Sequence, residues 1–204
     1  MLRLYDYLPS GNGYKVRLLL TQLNLPFERV ELDILKGHTR TPEFLKKNPN
    51  GRIPLLELGN GQFLAESDAI LFYLAEGTPP GTPLLPADRF GRAQVLQWMF
   101  FEQYSHEPNI ATVRFWMHSG MTPERQALLE PKRQLGYAAL QVMERHLATR
   151  RFFVGEQYSI ADIALYAYTH VADEGGFDLA PYAAIHAWFE RVRSQPRHIP
   201  ITQA

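Results

Sequence analysis

Cysteine is absent from this chain of 204 residues. Without cysteine the protein can form no disulfide, no thiolate metal site and no cysteine nucleophile. Any thiol chemistry must therefore use a thiol that a ligand supplies. The chain also lacks an excess of charge of either sign, since 21 basic residues balance 21 acidic ones. Nucleic-acid-binding domains usually carry a basic excess, so the composition argues against that function.

Long apolar runs are missing as well. No uncharged apolar stretch reaches the roughly 18–20 residues that a membrane-spanning helix requires. The first residues show no signal-peptide pattern, because the acidic Asp6 interrupts them early. These absences predict a cytoplasmic protein with neither a membrane nor a nucleic acid as partner. A hydrophobic content of 46% is still enough for one large domain or two small ones.

Strand and helix signals alternate over residues 1–77, which we predict to be one domain. Apolar residues recur at helical spacing over residues 12–23, and Thr41 followed by Pro42 is typical of a helix start. The Gly-Asn-Gly turn at residues 59–61 predicts a hairpin. The predicted order is βαβαββα. Because a βαβ crossover is almost always right-handed, we expect an α/β domain with a mixed sheet and helices on both faces.

A Pro- and Gly-rich segment at residues 77–83 cannot continue a helix and marks the domain boundary. We assign residues 78–87 to a linker and residues 88–204 to a second domain. Strand signals nearly vanish beyond the linker, so the second domain is predicted to be all-helical. Its helices are expected over residues 88–119 and 122–149, from residue 159 onward, and over residues 181–196.

A clear helix start lies at residues 159–162, Ser-Ile-Ala-Asp. The Ser159 hydroxyl and the Asp162 carboxylate can each accept a hydrogen bond from a backbone N–H that the helix start leaves unpaired. Such a capping box contributes about 1 kcal/mol per member. We expect its role to be structural.

Two short motifs carry the functional signal. Ile53 and Pro54 open a predicted strand, and Glu66 with Ser67 opens an apolar helix. This arrangement is how a thioredoxin-like domain presents its backbone to a peptide thiol. Since the chain has no thiol of its own, glutathione is the ligand to test first.

The chain resembles the cytosolic glutathione transferases over essentially its full length. The two motifs, the Pro-rich linker and the capping box fall in the order and spacing of that family. The resemblance implies the glutathione transferase fold, with a thioredoxin-like N-terminal domain, an all-α C-terminal domain and a cis bond before Pro54. It also implies glutathione as co-substrate, no metal, and a homodimer.

Residues 9–15, Pro-Ser-Gly-Asn-Gly-Tyr-Lys, look like the Thr/Ser-x-Asn-Gly-x-Lys turn of the bacterial Nu class and the fungal Ure2-type proteins. That resemblance implies reduction of small disulfides with glutathione. The chain departs from the pattern in carrying Ser10 instead of the more usual threonine, and Gly11 where proline is common. The hydroxyl and the asparagine, Asn12, are both kept.

Thiol activation needs a donor to the glutathione sulfur, and Ser10 and Asn12 are the candidate catalytic residues. Both stand at the start of the first helix, and the sequence does not choose between them. Helix capping is the alternative role for either residue. Tyr5 and Tyr7 are rivals by residue type. Tyr5 is expected to lie in the core, and Tyr7 is the second choice.

The rest of glutathione is assigned to five residues. Ser67 would bind the γ-glutamyl carboxylate at a helix start, and Glu66 would accept from the ammonium group. The backbone of Ile53 would pair with the cysteinyl part in the manner of an added strand. Arg52 or His38 would meet the glycine carboxylate.

The second substrate, a small hydrophobic electrophile or a disulfide, is expected to contact the helical domain at Tyr104 and Arg114, whose polar ends need water or a partner. We reject a metal site at His106 and Glu107, because no metal-binding spacing accompanies them. Two functions stay open at this point. One is an enzyme that activates the glutathione thiol, and the other is a non-catalytic binding or regulatory protein of the same fold.

Overall fold

The computed structural model describes residues 1–78 and 84–204. The chain divides into two compact units, one formed by Met1–Pro79 together with Pro196–Ala204 and the other by Pro80–Gln195. Residues 196–204, which the sequence pattern placed in the helical domain, are grouped with the first unit in the structure. Residues 79–83 of the predicted linker region lie outside the described residues.

The first unit has the predicted element order. Its elements are β1 (Leu2–Asp6), α1 (Gly11–Gln22), β2 (Phe27–Glu31), α2 (Pro42–Lys47), β3 (Leu55–Glu57), β4 (Phe63–Ala65) and α3 (Ser67–Glu76). Two 3₁₀ turns, Ile34–Lys36 and His38–Arg40, precede α2. The strand order is β2-β1-β3-β4. β1 is parallel to β2 and antiparallel to β3, which is antiparallel to β4, so the mixed sheet is confirmed.

Alternation along β1 and β3 sets the two faces of the sheet. Tyr5 lies opposite Leu55, and Phe44 of α2 joins them in one buried cluster. Leu4 lies opposite Leu56, and both are fully buried on the other face. The sheet is therefore covered on both sides, and α1 packs against α3.

The second unit is helical, as predicted. Its helices are α4 (Arg89–Phe101), α5 (Glu107–Ser119), α6 (Pro123–Leu147), α7 (Ile160–Thr169) and α8 (Ala183–Arg193). A 3₁₀ turn, Ala172–Gly175, follows α7. None of the helices in the described ranges is both long and apolar enough to cross a bilayer.

The first predicted helix of this unit is interrupted by a π-helical turn at Glu102–His106. Pro108 follows at the start of α5. Proline has no backbone N–H and its ring clashes with the carbonyl four residues earlier, so a regular α-helical turn cannot run through this position. The helical path continues only because the turn before the proline widens.

The Ser159–Asp162 capping box forms as predicted. Asp162 is fully buried and accepts from the Ser159 N–H at 2.9 Å. It also accepts from the Phe153 N–H at 3.1 Å and from the Trp188 indole N–H at 2.9 Å. The carboxylate therefore ties α8 and the loop before α7 to the start of α7, and its role is structural.

Burial raises the pKa of Asp162 from 3.8 to about 6, although these hydrogen bonds oppose the change. Between those two values the folded protein keeps a proton that the unfolded chain has lost. Raising the pH through this window therefore removes stability.

We expect Asp162→Asn to remove this pH dependence, because the amide carries no charge at any pH. The free energy of unfolding of the parent protein should fall relative to the variant by about 2 kcal/mol between roughly pH 4 and 7. Denaturant titrations followed by tryptophan fluorescence measure the difference. A gap that stays constant over this range would mean that Asp162 titrates at its ordinary pKa.

Candidate functional site

The beginnings of α1 and α3 meet in the first unit, although they are far apart in the sequence. Ser67, the first residue of α3, is buried. Its hydroxyl donates to Oδ1 of Asn12 over 3.2 Å. Ser10 is the N-cap of α1, and its Oγ accepts from the Gly13 N–H at 3.2 Å. The structure thus brings Asn12 and Ser67 together and shows that Ser10 caps the helix.

A buried lysine, to which the sequence analysis gave no role, lies at this meeting point. Lys15 is fully buried, and its Nζ lies 3.3 Å from the Ser67 hydroxyl and 3.1 Å from Oδ1 of Asp68. Since Lys15 follows Asn12 by three residues, both lie on the same side of α1. That spacing is the signal by which the sequence could have indicated Lys15.

The charges at this junction favour a ligand that carries both signs. Two helix N-termini and the Lys15 ammonium attract an anion. Oδ2 of Asp68 is buried and has no hydrogen-bond partner among residues 1–78 and 84–204. A buried carboxylate oxygen without a partner is costly, so an ammonium group or a water molecule would be accommodated there.

Glu66 has a strained backbone. Its φ is 67°, a region that residues other than glycine rarely adopt, at a cost of about 1–3 kcal/mol. It occupies the N-cap position of α3 without a side-chain capping bond, and its side chain is exposed. The carboxylate is therefore exposed to solvent on the residue next to Ser67, where it can accept from a ligand.

The segment before β3 presents the backbone of Ile53. The Ile53–Pro54 bond is cis, as the resemblance implied. The side chain of Ile53 packs against the cluster of Tyr5, Phe44 and Leu55, whereas its backbone N–H and C=O bond to no other residue that the structure describes. An extended ligand could therefore pair with this edge.

The two tyrosine rivals have different environments. Tyr5 is buried, as predicted, and its hydroxyl donates to Oε2 of Glu57 at 2.7 Å while accepting from Lys47. Its hydroxyl is therefore engaged within the sheet. Tyr7 is half-buried, and its carbonyl accepts from the Ser10 N–H at 2.8 Å.

The residues assigned to the glycine carboxylate are both exposed. His38 accepts through Nδ1 from the Asp33 N–H at 3.2 Å, which fixes the ring against its own turn. The Arg52 carbonyl accepts from the Asn48 amide at 2.8 Å, and this bond orders the backbone just before Ile53. Both residues remain candidates for this carboxylate.

In the second unit, Tyr104 projects from the π-helical turn and is 87% exposed. Arg114 is buried, and its Nε donates to Oε2 of Glu174 at 2.7 Å. The partner that the sequence analysis required for Arg114 is therefore Glu174. His106 is buried and lies 2.8 Å from the Thr169 hydroxyl. Within the described ranges, no group of three histidines or carboxylates is arranged to hold a metal.

Comparisons with known proteins agree with this architecture. The glutathione S-transferase N-terminal domain family matches residues 1–76, and the C-terminal domain family matches residues 99–196. The disulfide-bond oxidoreductase YfcG of Escherichia coli K12 is 33% identical over an alignment that covers 96% of this chain and 92% of YfcG.

Solved structures agree as well. A crystal structure of a glutathione S-transferase from Pseudomonas fluorescens Pf-5 superimposes with a TM-score of 0.94 at 53% identity and covers 99% of each chain. Ure2p in complex with glutathione superimposes with a TM-score of 0.86 at 25% identity, covering 96% of this chain and 90% of that one.

A thioredoxin-like unit followed by an all-helical unit defines the glutathione transferase fold. The chain belongs to the glutathione S-transferase family. The resemblance drawn from the sequence is therefore confirmed, and a disulfide-bond oxidoreductase and Ure2p are among the relatives.

We expect Lys15→Met to destabilise the first unit, because it leaves the largely buried Asp68 without its cation. Breaking a buried ion pair from one side costs about 3 kcal/mol, measured by denaturant titration with far-UV circular dichroism. The matched control is Lys36→Met, since Lys36 is exposed and its pair with Asp33 lies at the surface, where such pairs contribute at most about 1 kcal/mol. Equal losses in the two variants would contradict the role given to Lys15.

Proposed function

We propose that this protein is a glutathione-dependent enzyme that binds glutathione in its first unit and activates the thiol. The activated thiol attacks an electrophilic carbon or the sulfur of a small disulfide. The observation that carries the proposal is the junction of Asn12, Lys15 and Ser67, which joins two helix N-termini at a buried cation. Membership of the glutathione S-transferase family supports it.

The γ-glutamyl end of glutathione matches the charges of the junction. Its carboxylate binds the backbone N–H of Ser67 beside Lys15, and the Ser67 hydroxyl turns to it from Oδ1 of Asn12. Its ammonium group is accepted by the exposed carboxylate of Glu66, with the unpaired Oδ2 of Asp68 close by. A ligand that carries an anion and a cation on one carbon satisfies both sets of groups.

The remaining parts of glutathione extend from that end. The cysteinyl part pairs with the backbone N–H and C=O of Ile53 as an added strand. The glycine carboxylate meets Arg52 or His38, both of which are exposed. The thiol then faces the turn that carries Ser10 and Asn12.

Thiol activation needs no metal and no histidine base. An ordinary thiol has a pKa near 8.5, and lowering it by about two units requires about 2.7 kcal/mol. A helix N-terminus contributes about 0.3–2 kcal/mol toward an anion, and a hydrogen bond to a charged acceptor about 1.5–3 kcal/mol. Ser10 caps α1 through its oxygen and keeps its proton to donate, whereas Asn12 can donate through its side-chain NH2 group.

Of the two reactions of the activated thiol, disulfide reduction is the one that similarity to a known relative supports. The glutathione thiolate attacks one sulfur of the disulfide, forms a mixed disulfide and releases the other sulfur as a thiolate that takes up a proton. A second glutathione attacks the mixed disulfide, so two glutathione thiols are oxidised to glutathione disulfide as the substrate is reduced to two thiols. The similarity to a disulfide-bond oxidoreductase supports this reaction. The exposed Tyr104 is proposed to contact the substrate, whereas the Arg114 guanidinium is engaged by Glu174.

We also propose a cytoplasmic homodimer. Three consecutive large apolar residues near the end of α4 differ in exposure. Trp98 and Met99 are buried within the chain, whereas Phe100 is 68% exposed. Aromatic residues are enriched at protein–protein interfaces, so Phe100 is the candidate contact. Sedimentation at two protein concentrations tests the dimer, and a monomer at both would overturn it.

The proposed function is tested by calorimetric titration with reduced glutathione and then with glutathione disulfide. We expect Ser67→Ala to weaken binding of either form by about ten- to a hundredfold, because the loss of a hydrogen bond to a charged group costs about 1.5–3 kcal/mol. Ser194→Ala is the matched control, since Ser194 is an exposed serine of the second unit that bonds only its own helix end. The affinity of Ser194→Ala for both forms of glutathione should equal that of the parent protein.

The rate at which a small disulfide is reduced distinguishes Ser10 from Asn12 as the hydrogen-bond donor to the glutathione sulfur. The variant among Ser10→Ala and Asn12→Ala with the larger fall in kcat identifies the residue that contacts the sulfur. Tight binding of glutathione without any turnover would favour the non-catalytic binding protein instead. No binding of either form at millimolar concentration would reject the proposal.

A further inference from the structure

Arg17 is a fully buried arginine that connects three segments of the first unit. Its Nε donates to Oδ2 of Asp6, the last residue of β1, at 2.8 Å. One terminal nitrogen donates to the Leu8 carbonyl at 2.7 Å, and both terminal nitrogens donate to the Ile201 carbonyl at 3.1 Å. The Gln203 carbonyl is a further acceptor. A single guanidinium thus binds β1, the turn before α1 and the C-terminal segment.

The C-terminal segment, residues 196–204, has a second attachment to α1. Tyr14 is fully buried, and its hydroxyl donates to the Ile199 carbonyl at 2.7 Å. His198 Nε2 lies 3.3 Å from the same hydroxyl, and the Ile199 side chain is itself buried. Tyr14 and Arg17 are three residues apart, so one face of α1 holds the segment at two points.

The Asp6 carboxylate also fixes the start of α1 by contact. A Cβ atom at Gly13 would lie 1.6 Å from Oδ1 of Asp6, so only glycine allows the helix to approach β1 so closely. Gly13 is the residue whose N–H the Ser10 side chain caps. The position of Asp6, which Arg17 sets, therefore determines where the first turn of α1 begins.

Hydrogen bonds in the turn before α1 connect Arg17 to the segment that carries the candidate catalytic residues. Arg17 holds the carbonyl of Leu8, two residues before Ser10. The Leu8 N–H donates to Glu31 at 3.2 Å, and the Ser10 N–H donates to the Tyr7 carbonyl at 2.8 Å. Arg17 is the buried side chain that joins this turn to the C-terminal segment.

We propose that Arg17 is a positioning residue and that the C-terminal segment acts through it to hold the turn bearing Ser10 and Asn12 in the geometry that serves the sulfur of glutathione. This inference rests on the proposed function for its ligand. It assigns the last residues of the chain a part in thiol activation, although they contribute no group to the ligand.

The test uses three variants of the whole protein. Deletion of residues 196–204 removes the segment, and Arg17→Lys keeps a cation for Asp6 but lacks the fork that reaches the carbonyls. Deletion of Ala204 alone is the matched control, because the Ile201 and Gln203 carbonyls remain. Since the long deletion can impair folding, Arg17→Lys provides the same comparison with the segment present.

The first readout needs no ligand. Hydrogen–deuterium exchange should be faster for the amides of residues 8–14 in both test variants, and unchanged for β3 and β4. The second readout is the ultraviolet absorbance of bound glutathione as a function of pH. The pKa of the bound thiol should rise by about one unit, and kcat below that pKa should fall about tenfold in parallel, with affinity for glutathione disulfide nearly unchanged.

Each result decides one question. Unchanged exchange over residues 8–14 in Arg17→Lys would overturn the inference, and so would a loss of glutathione affinity with no change in the thiol pKa. If the parent protein binds no glutathione, the proposed function fails. The exchange measurement still shows whether Arg17 and the C-terminal segment hold the turn.

Discussion

The contact between the N-termini of α1 and α3 is the constraint on which the candidate site depends. Two helix starts that face each other bring partial positive charges and unpaired N–H groups together, and the buried Lys15 adds a full positive charge. Asp68 and the hydroxyl of Ser67 compensate that charge, and the same hydroxyl donates a hydrogen bond to Asn12. The buried Oδ2 of Asp68 is left without a partner by this arrangement, so the junction suits a ligand that carries both an anion and a cation.

The first unit balances this cost with rigid supports around it. β1 places Asp6 against Gly13, Arg17 holds the turn before α1, and the cluster of Tyr5, Phe44 and Leu55 fixes the segment that carries Ile53. The groups of Ser10, Asn12 and Ile53 that are proposed to touch glutathione are thus attached to segments held by buried side chains. A site built in this way is preorganised, and the ligand need not order it on binding.

The helical unit uses one buried carboxylate in a comparable way. Asp162 begins as a capping residue, and its remaining lone pairs hold Phe153 and Trp188. A local helix signal therefore also organises tertiary packing, because a buried carboxylate is stabilised by each donor that reaches its oxygens. The same requirement explains Arg114, whose buried guanidinium is matched by Glu174.

Several features followed from the sequence alone. The order βαβαββα, the hairpin, the caps of α2 and α7, and the approximate helix bounds depend on propensities within a few residues, so local patterns were sufficient to predict them. The cis bond and the family followed from motifs in the right order. The roles of Lys15, Asp68 and Arg17 and the placement of residues 196–204 with the first unit were decided only by the tertiary structure. Each of these joins groups that are distant along the chain, and only folding determines which partner a buried charge will have.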